Sequence, residues 1–457
     1  MNAQPKISPV MRCLSAYIAA ALRRPLPPTV NEKTKHHILD TIAAMISGSR
    51  LRPGMKALSY VKTLGGVKEA SVIGSRVVTT AINAALANGM LAHADETDDS
   101  HALSQTHPGC GIVPAALAMA EREQRNGAAL LRAIALGYDV GCRLTRSLNA
   151  HQFREDGHST HSFGPMFGAA AAAGALAGLR ERQVRYLLSF TAQQASGLSC
   201  WMRDGDHIEK SFDFGGMPAR NGVAAATMVA HGFTGVDDVF AGERNFFVAY
   251  GRKPEPALLV SGLGVEFEIM NTNIKRWSVG SPIQAPLDSL HELIREHRIT
   301  AADIDRVVVR VSHQGANTVD NRDMPDICMQ HMCAVMLVDG KVTFQSSHDE
   351  KRMRDRAVLA LRRRIELRGD DALTAALPSR EGIVEIALRD GRKFSHHTKA
   401  VRGAANNPMT RDEVNEKSYD LIAPVIGKLK ARNLCDAIWQ LEKLSDVRRL
   451  RPLLRAR

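Results

Sequence analysis

The stretch "GPMFGAAAAAGALAGL", residues 164–179, constrains the chain more than any other feature. Alanine and glycine give a helix almost no side-chain bulk, so neighbouring helices can pack against it nearly backbone to backbone. Such a helix gains little from its own side chains and is stable only when other helices surround it. It is also shorter and less apolar than the roughly 20 residues needed to cross a bilayer. The stretch therefore predicts a buried helix at the centre of a bundle.

The surrounding sequence agrees. From Pro9 to about Gly251 the pattern is helical, as in "VNEKTKHHILDTIAAMISG", "GIVPAALAMAEREQRNG" and "AALLRAIALGYDVGCRLTRSL". After about Glu266 the character changes. "IDRVVVRVSH" (304–313) and "GIVEIALRDGRKFSHHTK" (382–399) read as strands, the second folding into a hairpin at Asp390-Gly391. Helical segments such as "SPIQAPLDSLHELIREH" lie between them. Helices return after "NNPMT", where Thr410 and Glu413 have capping-box spacing. The expected fold is mostly α with an inserted α+β domain. Residues 1–265 form a helical domain, 266–403 the insertion, and 404–457 helices that return to the first domain.

Composition narrows the functional classes. The formal net charge of +12 suits either nucleic acid or anionic small molecules. Aromatic residues make up only 5%, and no basic stretch is interleaved with them, which argues against a nucleic-acid binder. Seven cysteines without a CxxC pair predict free thiols in a reducing compartment. "LSAYIAAAL" near the start lacks the long apolar core and cleavage site of a secretory signal. A cytoplasmic protein with no membrane segment is expected.

Four segments place ionisable side chains beside small residues. "HADETDDSHALSQTHPGCG" carries His93, Glu96, Asp98, Asp99, Ser100, His101 and His107; "EDGHSTHSFG" carries His158 and His161. "DGDHIEKSFDFGG" carries His207 and Lys210, and "NIKRWSVGSPIQ" carries Lys275 and Arg276. Taken singly, each has a plain reading: Asp and Ser before helices are caps, a lone histidine is a hydrogen-bonded loop residue, and a lysine is a solvated charge. "HADETDD" could supply carboxylates to magnesium or manganese, but neither HxxxH nor HExxH occurs.

The segments, in order and spacing, resemble the MmgE/PrpD family, whose members include 2-methylcitrate dehydratase, cis-aconitate decarboxylase and iminodisuccinate epimerase. "HADETDDS", "HPG" and "PAALAMAE" resemble its first signature, "HSTHSFGPMFGAAAAAG" its second and "EKSFDFGGMPARNGVAAA" its third; "GFTG", "VFAGERNFF" and "NNPMTRDEVNEK" extend the likeness. The resemblance implies a homodimer of two-domain subunits, with an active site in the cleft between domains and no metal or organic cofactor. Catalytic and binding positions of the family fall here on Glu96, Ser100, His107, His158, Lys210 and Lys275. Three departures stand out. Glu96 replaces an aspartate, Gly280 stands where decarboxylase-type members have a histidine, and His331 replaces a tyrosine.

The reactions of that family share a proton leaving or reaching a carbon beside a carboxylate or imine. Lysines and histidines suit this chemistry, because they hold carboxylates and stabilise developing negative charge. The sequence thus predicts catalytic roles for His107, His158, Lys210, Lys275, Glu96 and His331, with Ser100, Asp98, His101 and Arg276 contacting a small anionic carboxylate. A dehydratase of the 2-methylcitrate type is the leading expectation, ahead of an epimerase or a decarboxylase. A metal-dependent hydrolase and a non-catalytic basic binding protein are the rival classes.

Overall fold

Every residue of the Thr160–Leu176 helix is buried, including its two glycines after Pro165 and its run of alanines. Its glycines explain how. A Cβ added to Gly168 would lie 2.5 Å from the carbonyl oxygen of Gly137, and one on Gly141 would lie 2.8 Å from that of Gly164. The helix therefore lies directly on the backbone of the Gly127–Ser147 helix, and larger side chains at these crossings would force the pair apart. Helices Pro108–Arg122 and Met217–Ala230 also pack on it. This is the centre of a helical bundle, in the place the small-residue stretch predicted.

The computed structural model describes residues 7–456. The chain divides into two units. One comprises the residues up to Thr272 together with those from Arg411 onward; the other is Asn273–Thr410. The helical unit is thus built from both ends of the chain. Its helices begin with recognisable signals: Thr80 and Asn126 accept hydrogen bonds from the backbone N–H groups of Asn83 and Ala129, and proline opens Pro28–Gly48 and Pro108–Arg122. Two short strands, Ala70–Ser71 and Val78–Thr79, pair within the helical unit.

The second unit carries a four-stranded sheet in the order Ile365–Gly369, Ile304–Val311, Gly382–Leu388, Lys393–Thr398. The first pair is parallel, with Val307 opposite Ile365, and the other pairs are antiparallel. Helices Ser281–His297 and Met329–Asp339 supply Leu287, Leu290, Met332 and Val335 to a core shared with Val307, Val309, Val384 and Ile386. The hairpin turns where expected. Gly391 has φ +90°, and Leu388 N–H donates to the carbonyl of Arg392 at 2.8 Å.

Both boundaries lie a few residues beyond the expected ones. Residues 266–272 stay with the helical unit because Glu268 is buried there, accepting from Arg146 while its own N–H donates to Asp139. Residues 404–410 stay with the insertion because Ala405 N–H bonds the Asn273 side chain, beside the closing bond from Ile274 N–H to Gly403. All seven cysteines are free thiols. Among the described residues, no helix is long and apolar enough to cross a membrane.

Candidate active site

The Ala81–Ala92 helix ends at His93, and the polar loop that follows runs to His107, immediately before the Pro108–Arg122 helix. Asp98 organises this loop. Its Oδ2 accepts from His93 Nδ1 at 2.9 Å and its Oδ1 from His107 Nδ1 at 3.0 Å. Asp98 is fully buried. Burial alone would raise its carboxyl, but the two imidazoles outweigh this and hold it well below the usual carboxylate range. An ionised carboxylate only accepts, so Nδ1 is the donor in both rings. In a neutral ring the lone pair then sits on Nε2, the atom pointing away from Asp98.

Neighbouring acids fix the loop itself. Asp99 accepts from His37 Nδ1 at 2.7 Å, from the Tyr138 hydroxyl, and from Gly109 N–H at 2.9 Å, which ties the loop to three helices. Asp95 accepts from the N–H and hydroxyl of Thr97 at 3.1 and 2.6 Å. The buried Lys417 donates to the Thr97 carbonyl at 3.0 Å and pairs with Asp40.

A second segment meets this loop. His207 adopts a left-handed backbone, φ +60°, and opens a single helical turn, Ile208–Ser211. A π-helical turn, Phe212–Gly216, follows. Turns of this kind distort a helix locally and occur often at functional sites. Here the turn sets Phe214 in the middle of the histidines: its ring stacks on His161 at 3.8 Å and on His93 at 4.2 Å, and lies 5.4 Å from His107. Lys210 pairs with Glu96, and its Nζ lies 5.4 Å from the rings of both Trp201 and Phe214. His207 lies 5.1 Å from His93, and His161 lies 5.2 Å from His107. Burial, reinforced by neighbouring positive charge, pushes His161 and His207 well below the usual imidazole range. Both are therefore neutral proton acceptors at physiological pH.

The predicted residues separate into groups. Glu96, Asp98, His107 and Lys210 come together with His93, His161 and His207. Ser100 is half-buried on the same loop. His158 is placed differently: its ring stacks on Phe153 at 4.5 Å and faces Phe163 and Tyr250, while His161, in the helix that follows, joins the cluster. His101 is engaged within the protein. Both ring nitrogens are already bonded, Nδ1 with Ser104 at 2.8 Å and Nε2 with Glu268 at 3.1 Å, and the residue is buried. Asp98 likewise acts on histidines, since both its oxygens are occupied by them.

In the second unit, Lys275 is buried next to Ile274, whose N–H donates to the Gly403 carbonyl. Arg276 lies over the Trp277 ring at 4.5 Å and 3.5 Å from Asp288. Gly280 has room for a side chain, the nearest heavy atom to an added Cβ being Ile327 Cγ2 at 3.6 Å. His331 departs from expectation. It is fully buried in the Met329–Asp339 helix, neither ring nitrogen has a partner, and burial pushes it down to about 4 instead of leaving it to titrate near neutrality. Ala334 and Val335, three and four residues further along the same helix face, both belong to the core, so that face points inward.

Residues 12–259 match the MmgE/PrpD N-terminal domain and residues 277–443 the MmgE/PrpD C-terminal domain. The chain belongs to the MmgE/PrpD family. Among similar proteins is the cis-aconitate decarboxylase-like protein oryM of Aspergillus oryzae, 25% identical, with 94% of each chain covered. Another is the cis-aconitate decarboxylase of Aspergillus terreus, 24% identical over 94% of this chain and 92% of the relative. Sequence reasoning within the MmgE/PrpD pattern passed over His93, His161 and His207, because the family signatures direct attention to His107, His158 and Lys210. One signal was available. Three polar segments each carried a histidine with no assigned role: His93 and His161 stack on Phe214, and His207 lies against His93.

Proposed function

We propose that the chain is a cofactor-independent lyase acting by acid–base proton abstraction on a small di- or tricarboxylate, with dehydration of the 2-methylcitrate type as the first reading. The observation that carries this is one buried carboxylate, Asp98, holding two imidazoles beside the Lys210–Glu96 pair. An oriented imidazole takes the proton from a carbon next to a substrate carboxylate. The negative charge moves onto the carboxylate oxygens, where Lys210, drawn from Glu96, stabilises it. The hydroxyl on the adjacent carbon then leaves as water, taking a proton from an imidazolium, so the substrate loses one proton and one hydroxide. His107 and His161 are the proposed proton carriers. The family resemblance adds His158 and Lys275 on the substrate side, with Ser100 and Arg276 as binding groups. It also supports a homodimer, and the free thiols fit a cytoplasmic location.

A second reading, decarboxylation, is favoured by the names of the relatives. It would expel carbon dioxide and return a proton to the same carbon. Gly280 counts against it, since decarboxylase-type members have a histidine there. Epimerisation would use the same first proton transfer and return the proton to the opposite face. Product analysis separates the three: chelator-treated protein is incubated with a panel of di- and tricarboxylates, cis-aconitate included, and the products are read by NMR. Dehydration gives a new alkene without loss of carbon. Turnover of no member of the panel by folded protein would sink the proposal, and release of carbon dioxide from cis-aconitate would replace dehydration with decarboxylation.

A further inference from the structure

We propose that His93, His207 and Glu96 form a binding site for a divalent transition ion of the zinc type. One ligand atom from each side chain lies within 4.8 Å of the other two. All three residues are buried, at 0%, 6% and 7% exposure. Nε2 of His93 and Nε2 of His207 are both buried without a hydrogen-bond partner. A buried polar atom left without a partner is destabilising, so two in one place call for an occupant.

The chemistry of the set selects the ion. Two imidazole nitrogens and one carboxylate oxygen suit zinc or cobalt, whereas magnesium and calcium prefer all-oxygen sites. His93 is also prepared as a ligand. Its Nδ1 is held by Asp98 at 2.9 Å, the carboxylate–imidazole arrangement that fixes the tautomer and raises the basicity of Nε2 toward a metal. The three donors come from two segments far apart in the chain, which is why no HExxH or HxxxH spacing announces them. A second group, His93, Asp98 and Cys110, is less suited. Asp98 already serves two histidines, and burial pushes the Cys110 thiol well above its usual range. An ion at the first site would compete with Lys210 for Glu96. It is a competitor of the proposed chemistry, not its cofactor.

The test uses tag-free, chelator-stripped full-length protein titrated with cobalt(II). Visible absorption reports tetrahedral coordination directly, and zinc serves as the displacing ion. A saturable band at one equivalent, removed by zinc, is expected. His207→Asn keeps a residue that tolerates the left-handed backbone and should abolish the band, as should Glu96→Gln. Asp98→Asn should weaken binding about 10–100-fold, the usual effect of losing such a supporting carboxylate. Far-UV circular dichroism establishes that each variant is folded. The proposal is overturned if wild type shows no saturable band, or if folded His207→Asn and Glu96→Gln keep it unchanged. In the second case the ion sits elsewhere, on surface histidines or thiols.

Discussion

Asp98 is one residue with two tasks, and a single-atom substitution separates charge from shape. In Asp98→Asn one side-chain atom still accepts but the other donates, so His93 and His107 can no longer both present Nδ1–H to it. One imidazole must turn or change tautomer. Turnover should fall by about a hundredfold or more, with KM little changed, because the ground-state contacts of a carboxylate substrate survive. Steady-state kinetics on the folded variant check this; an unchanged kcat would remove Asp98 from the account. His331 shows the opposite case, a histidine that packs. Its folded value of about 4 lies below the unfolded value of 6.5. The native state thus binds fewer protons than the unfolded chain between these values, and stability is lost as pH falls through that window. His331→Leu should raise Tm, and by more at pH 4.5 than at pH 7.5, while kcat is retained. A loss of turnover with normal Tm would return His331 to the reacting groups. The sequence alone could not separate these roles, because histidine is the same letter whether it faces a substrate or a core.

At the scale of elements, the helices and the hairpin were legible because their periodicity is long or their turn chemistry specific. The alanine-rich helix needed only its composition. The parallel strand Ile365–Gly369 was missed: "RIELRG" is short, flanked by arginines, and its burial does not alternate cleanly. The two-residue strands after Gly65 are too brief to leave any period. The π-turn at Phe212–Gly216 also escaped, since one extra residue per turn has no signature in a five-residue window. That turn is fixed by packing. A Cβ on Gly215 would lie 2.1 Å from the carbonyl oxygen of Gly89, at the end of the helix that leads into His93. Gly215→Ala must therefore push the turn away from that helix. A loss of roughly 1–3 kcal/mol in denaturant unfolding is expected, with turnover falling as Phe214 leaves the histidines. Wild-type stability in this variant would mean that the turn moves freely and does not set the site.

The whole molecule binds its two chain ends into the site. Lys417, on the Arg411–Ile426 helix, reaches the Thr97 carbonyl beside Asp98 and pairs with Asp40 on the Pro28–Gly48 helix. Asp40 is buried, and burial raises its carboxyl to about 6 despite the lysine. Lys417→Met leaves that carboxylate unpaired and should cost about 3–5 kcal/mol in chemical denaturation at neutral pH, recovered in part by Asp40→Asn in the double variant. Additive losses would show that the two residues do not act as a pair. The mostly helical fold with its smaller α+β part was readable from the return of helical periodicity after the strands. The site was readable only in part, because His93, His161 and His207 acquire their meaning from contacts made across distant segments.

In the proposed reaction, oriented imidazoles beside Lys210 remove a proton from carbon. Proton NMR in deuterium oxide, with chelator-treated protein and the carboxylate it turns over, measures this step directly. Wild type should wash out the C–H signal next to a carboxylate in recovered substrate or product, and Lys210→Met and Asp98→Asn should slow that exchange by about a hundredfold or more. Turnover with complete retention of that C–H, or exchange at the wild-type rate in both folded variants, would rule out proton removal by this cluster.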